Sequence, residues 1–205
     1  MVSFIQRNQN RVVQDPKFVT ALFTDVRFSV IWLAARIWLG LQWIESASGK
    51  LSNPAWMDTG EALKGYWVRA VAIPETGRPP ISFDWYRDFL NGMIESNAHT
   101  WFSKLVVFGE LFIGIALIIG AFVGIAAFFG AVMNFNFMLA GSASTNPVLF
   151  LIALLLIFAW KTAGFIGLDY FLLNWLGTPW GRDKAVKTAI DAEGNRVPAP
   201  VPSDD

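Results

Sequence analysis

Six polar side chains stand in or at the edge of apolar stretches of this 205-residue sequence: Arg36, Lys50, Glu110, Asn134, Lys161 and Asp169. Glu110 is the one charge in the run 105–141. A carboxyl at membrane depth is costly unless it is neutral or partnered, and such groups mark functional sites by default. Two readings follow for Glu110. It handles a proton, or it is half of a structural ion pair with Arg36 or Lys161 that fixes helix register. Arg36, Gly40, Trp43, Ala47 and Lys50 step by three and four, which places them on one helical face. Asn134 follows Gly130 by four residues, a spacing suited to an interhelical hydrogen bond. Asn136 points roughly 200° away from it, so the two amides face different surroundings. Lys161 and Asp169 share a face if one helix runs through the glycines between them, and an ion pair there competes with a proton path. His99, the single histidine, reads as a solvated or capping residue at the mouth of a span. One histidine rules out bis-histidine haem ligation within one chain.

These residues need elements to hold them. At about 1.5 Å per residue the run 105–141 would exceed 50 Å as one helix, against a hydrocarbon core of about 30 Å. It must turn back, and Gly120 and Gly124, bracketing Ala121-Phe122-Val123, form the corner. The expected fold is all-α and integral to a membrane: four transmembrane helices in an antiparallel bundle, at about 28–47, 101–120, 123–141 and 147–173. A polar N-terminal arm (1–26) precedes the bundle (27–176), and a polar tail (177–205) follows it. The tail is expected to be disordered after Asn195. The polar start is not the pattern of a cleavable signal peptide.

The loop 51–100 is too polar to span. Asn53-Pro54 suits a cap with Pro at the first helical position. One amphipathic helix is expected over 55–72, with Trp56, Leu63, Trp67 and Val71 as apolar contacts. Pro74, Gly77, Pro79 and Pro80 break it. A second short helix starts at Ser82, with Trp85, Phe89, Met93 and Ile94 apolar. Both are expected over the mouth of the bundle at headgroup level. A loop of this length with its own helices is more often functional than passive.

Composition bounds the chemistry. Hydrophobic residues make up 54% of the chain, and the mean hydropathy is +0.44, as in integral membrane proteins. A net charge of zero leaves no basic footprint for nucleic acid. With no cysteine, disulfides, cysteine-ligated metal centres and a covalent persulfide on this chain are excluded. No haem, flavin or metal motif is seen. Arg7, Arg11, Lys17, Arg27, Arg182, Lys184, Lys187 and Arg196 fall on the side of the termini, against about six basic residues on the other, which puts both termini in the cytoplasm.

Three segments in order resemble the DoxX family of small four-helix membrane proteins: Arg36, Gly40 and Ser48-Gly49-Lys50-Leu51; Gly109-Glu110-Leu111 with Gly114, Leu117 and Gly120; and Gly164-Phe165-Ile166-Gly167-Leu168-Asp169. The loop with Phe83-Asp84-Trp85-Tyr86 and Phe89-Leu90 is similar to the branch that contains the membrane subunit of archaeal thiosulfate:quinone oxidoreductase. The resemblance covers roughly residues 27–173. It implies a subunit of the prokaryotic plasma membrane that passes electrons from thiosulfate or another small reductant to quinone, with quinone as a substrate. Glu110 is then the catalytic acid for a quinone oxygen, and Arg36 and Lys50 either bind the anion at the outer mouth or pair structurally with Glu45 and loop acids. Asn134, Lys161 and Asp169 are structural or line a proton path. Expected partners are the lipid bilayer, a second redox subunit that carries a cofactor, and further copies of the chain. The alternative is a non-catalytic membrane anchor or assembly subunit for a partner redox enzyme.

Overall fold

The computed structural model describes residues 15–176 together with a short antiparallel pair, β1 (Ala189–Ile190) and β2 (Arg196–Val197). The remainder of the expected arm and tail lies outside the described residues. Apart from that pair, the described chain is helical: α1 (Lys17–Thr24), a 3-10 turn (Val26–Phe28), α2 (Ser29–Leu51), α3 (Pro54–Met57), α4 (Glu61–Val71), α5 (Asp84–Glu95), α6 (His99–Ile119), α7 (Val123–Leu139), α8 (Asn146–Phe158), α9 (Trp160–Ala163) and α10 (Asp169–Trp175). The all-α expectation therefore holds for these residues. Among them, α6 alone is long and apolar enough to cross a membrane. The segments Lys17–Thr24 and Val26–Leu51 pass that test only together, and they are bent by 64°.

Helix α2 packs along α6, α7 along α8, and α6 against α7. Helices α2 and α6 approach closely at two glycines. A Cβ on Gly40 would lie 2.9 Å from the Gly114 carbonyl oxygen, and one on Gly114 would lie 2.9 Å from that of Gly40. Small residues let helix backbones meet in this way. Around the contact Leu39, Trp43, Leu117, Ala127, Ala153 and Leu156 form the main core. The face of α2 expected from the spacing is the buried one: Arg36, Gly40, Trp43 and Ala47 are all buried.

The predicted corner is where α6 ends. Gly120 takes a left-handed conformation (φ +71°) and closes α6 through its N–H to Ala116 O. Phe122, also left-handed, starts α7. The Gly120 position admits no side chain, since a Cβ there would overlap the Arg36 guanidinium.

Four expectations need correction. The segment 147–173 is not one helix but α8, α9 and α10. The chain turns at Gly164, where a Cβ would sit 2.6 Å from that of Asp169, and the 164–169 segment folds back on the corner through Leu168 N to Ile119 O and Asp169 N to Gly120 O. The stretch 55–72 is split at Gly60, which is left-handed at φ +75° and lies so close to the His99 carbonyl that no side chain fits there. On α5, Tyr86 and Leu90 face inward while Trp85 and Phe89 are exposed, since the Tyr86 hydroxyl reaches α7. Residues 17–24 of the expected arm form a docked helix. Leu22 O accepts from the Trp32 indole and Phe23 O accepts from Thr162 Oγ1.

The loop helices bury their own cluster, with Leu63, Trp67, Ile81, Tyr86, Leu90 and Ala98 packed on Ala140 of the bundle. Outward, α6 exposes Leu105, Phe108, Phe112, Ile115 and Ile119, one stripe at helical spacing. Ile125, Phe128 and Phe129 of α7 and Leu151 and Phe158 of α8 are exposed as well.

Candidate functional site

Glu110 is fully buried, as expected, but its partner is Lys50 rather than Arg36 or Lys161. Lys50 Nζ donates to Oε1 at 2.6 Å and to Oε2 at 2.7 Å, and also to Ser46 Oγ at 2.7 Å. Helical spacing produces this arrangement. Ser46 and Lys50 are one turn apart on α2, and the Gly40–Gly114 contact brings α6 close enough for Glu110, four residues before Gly114, to meet them. The Lys50 ammonium also stands 5.2 Å from the centre of the Trp56 ring, within range of a cation–π attraction.

The pair lies in a polar chamber of about 540 Å³ that includes Trp56, Glu61, Tyr66 and Arg69 from the loop helices, Ser142 from the turn before α8, and Asn146 at the start of α8. Against it lies a second cavity of about 490 Å³ with almost wholly apolar walls: Phe102, Val106, Phe112, Ile113, Val132 and Met133 among others. The two share Leu63, Tyr66 and Phe137 as a common wall. The polar atoms of the apolar cavity gather at one end. Tyr66 Oη donates to Phe137 O at 3.4 Å, and Tyr86 Oη donates to Asn136 O at 3.1 Å. Burial pushes the Tyr86 phenol up to about 12, and burial raises Tyr66 as well, so both hydroxyls keep their protons at neutral pH. An apolar cavity of this size with a few convergent polar groups is the usual form of a small-molecule site.

The other expected site residues lie elsewhere. Arg36 does not join Lys50 at a mouth. Fourteen residues earlier, it sits about 21 Å away along α2, against the corner, where its Nη2 donates to Ile166 O. Its attraction to Asp169 crosses the same junction. Asp169 does not pair with Lys161. Its carboxylate accepts from Phe122 N at 2.5 Å and Val123 N at 2.8 Å, capping the first turn of α7. Lys161 is exposed, 5.7 Å from the centre of the Trp160 ring. Asn134 is fully buried, yet neither amide atom has the expected interhelical partner among the described residues. It and Asn136 line different cavities, as their angular separation required. His99 is not solvated but 3% exposed, with Nε2 3.5 Å from Glu61 Oε1.

Sequence reading missed Ser46, Tyr66, Arg69 and Tyr86. Ser46 was accessible, because it stands four residues before Lys50. The loop residues were not, because nothing local says which face of α4 or α5 turns toward the bundle. No group of three or more His, Cys, Asp or Glu side chains is placed to hold a metal ion among the described residues. Neither a family model, nor a curated protein, nor a solved structure matches this chain.

Proposed function

We propose that the chain is a four-span, DoxX-like subunit of a quinone-linked oxidoreductase in a prokaryotic plasma membrane, with both termini in the cytoplasm. The observation that carries this reading is the pair of back-to-back cavities with a common wall of Leu63, Tyr66 and Phe137. The outward apolar stripes of α6, α7 and α8 support a bilayer setting, since exposed apolar surface on this scale marks membrane or protein contact. A quinone fits the apolar cavity: its ring oxygens meet the hydroxyls of Tyr66 and Tyr86, and its tail leaves past Leu105 and Phe112 toward lipid. A small anionic reductant such as thiosulfate enters the polar chamber, drawn by Arg69 and Lys50. Two electrons and two protons convert quinone to quinol. Glu110 lines the chamber rather than the quinone cavity, so it takes up the two protons in turn from chamber water and passes each to the ring through Tyr66 in the shared wall. The electrons pass directly from the reductant or from a cofactor on a partner subunit.

The test is quinone extraction from purified protein, followed by titration with a short-tailed quinone read by tryptophan quenching. Gly109 lines the apolar cavity. The variant Gly109→Leu fills part of that space and is expected to weaken binding at least tenfold, with the fold intact. If the unsubstituted protein neither carries nor binds quinone, the reading falls. The chain is then a membrane anchor for a partner that holds the activity.

A further inference from the structure

Two buried tryptophans on α2 differ in one respect. Trp32, 5% exposed, donates its indole N–H to Leu22 O at 2.8 Å. Trp43, 2% exposed, has no partner for its Nε1 among the described residues. Facing it on α7, Asn134 leaves both Nδ2 and Oδ1 without partners. One turn before Asn134, Gly130 has no side chain, and a Cβ there would lie 3.3 Å from Trp43 Nε1. The indole edge and the amide therefore sit a helical turn apart. Both line a third cavity, of about 300 Å³, between α2, α7 and the start of α8. Its rim carries Glu45, which is exposed, and its inner end carries Ser46.

Three polar atoms without protein partners in one cavity point to a ligand that hydrogen-bonds. Leaving such a group unsatisfied is costly, and buried water characteristically meets such groups with about two to four hydrogen bonds. At roughly 30 Å³ per molecule the space suits a short chain of waters. The cavity is not isolated. It shares Ser46, Phe137, Thr145 and Asn146 with the polar chamber, and Ser46 Oγ already accepts from Lys50 Nζ.

We propose that this cavity is a water-filled proton entry path running from Glu45 past Trp43 and Asn134 to Ser46 and the Lys50–Glu110 pair. A proton taken up at the Glu45 carboxylate passes from water to water by exchange of O–H bonds. It ends on a Glu110 oxygen while Lys50 retains its bond to Ser46. No bond between heavy atoms changes and no electron moves. The charged and titratable groups that face Glu110 across the chamber are Lys50 from α2 and Glu61, Tyr66 and Arg69 from α4. The α7 and α8 sides add Phe137, Thr145 and Asn146, which do not titrate. Glu45 is thus the acid at the outer end and Glu110 the acid at the inner end.

Hydroxyl-radical labelling of the full-length protein in detergent tests the water directly, because radicals formed in internal water mark adjacent side chains. Trp43 is expected to label at least tenfold faster than Trp32, although it is the less exposed of the two. Asn134→Leu is expected to bring Trp43 down to the Trp32 rate. The second measurement is the infrared carboxyl signal of Glu110 after a pH jump, identified by its loss in Glu110→Gln. Its rise is expected to slow at least tenfold in Asn134→Leu and severalfold in Glu45→Gln, with unchanged melting in Glu45→Gln. Equal labelling of Trp43 and Trp32 in the unsubstituted protein overturns the path, and that result does not depend on any variant folding. A Glu110 signal that rises at the same rate in both variants overturns it too. Neither readout involves quinone, so the redox assignment and the path fail separately.

Discussion

Lys50 Nζ stands 2.6 Å and 2.7 Å from the two carboxylate oxygens of Glu110, which joins the C-terminal end of α2 to the middle of α6. Lys50 keeps one-fifth of its side chain exposed while Glu110 keeps none. Removing one member leaves the other charge uncompensated, at a cost of about 3–5 kcal/mol when the survivor is buried. Lys50→Met is therefore expected to destabilise strongly, because the fully buried carboxylate is stranded. The double variant Lys50→Met with Glu110→Leu is expected to recover most of that loss. Denaturation of all four proteins of the cycle in detergent checks this. Strictly additive losses would show that the two side chains do not interact.

Asp169 and Lys161 separate two ideas about the end of the bundle. Asp169→Ala removes both acceptors of the α7 cap and is expected to cost about 2 kcal/mol, the upper end for helix caps. Asp169→Asn keeps an acceptor oxygen and is expected to cost less. Lys161→Ala, at an exposed position, is expected to stay within about 0.5 kcal/mol. Comparable losses in Lys161→Ala and Asp169→Ala would restore the ion pair that the geometry replaces.

The Tyr86 phenol provides a pH signature. Its ordinary value is 10.0, and burial raises it to about 12 in the folded protein. Below pH 10 the hydroxyl is neutral both folded and unfolded, so its full contribution is present. Between pH 10 and about 12 the unfolded chain releases this proton and the folded one does not, so stability falls as pH rises through that window. Tyrosinate absorbance should show a late step near pH 12 that Tyr86→Phe abolishes. A step at pH 10 for every tyrosine would mean that the loop cluster is open to solvent.

The side of the membrane is readable with single cysteines, because the native chain has none. Cysteines at Thr76, in the loop between α4 and α5, and at Ser203, near the C-terminus, should react with an impermeant reagent from opposite faces of sealed vesicles. Reaction of both from one face excludes an even number of spans with the long loop outside.

How much was legible beforehand follows from the range of the forces involved. Periodicity and glycine placement act locally. Residue spacing alone gave the buried face of α2, the corner at Gly120, the amphipathic loop helices, the burial of Glu110 and the opposed directions of Asn134 and Asn136. A helical face is set by 3.6 residues per turn, whatever lies opposite. What lies opposite is a matter of tertiary packing. Sequence reading offered Glu110 two cations, Arg36 and Lys161, and no depth coordinate that would have brought in Lys50. The Gly40–Gly114 contact fixes how α2 is placed along α6, and that placement puts Lys50 at Glu110 and carries Arg36 to the far corner. Asp169 likewise became a cap because Gly164 lets the chain fold back, which no helical spacing encodes. The two cavities and their common wall exist only once α4 and α5 close over the bundle. Sequence by itself determined which residues share a face of each helix. The tertiary structure decided which of them meet, because register between helices depends on contacts far apart in the chain.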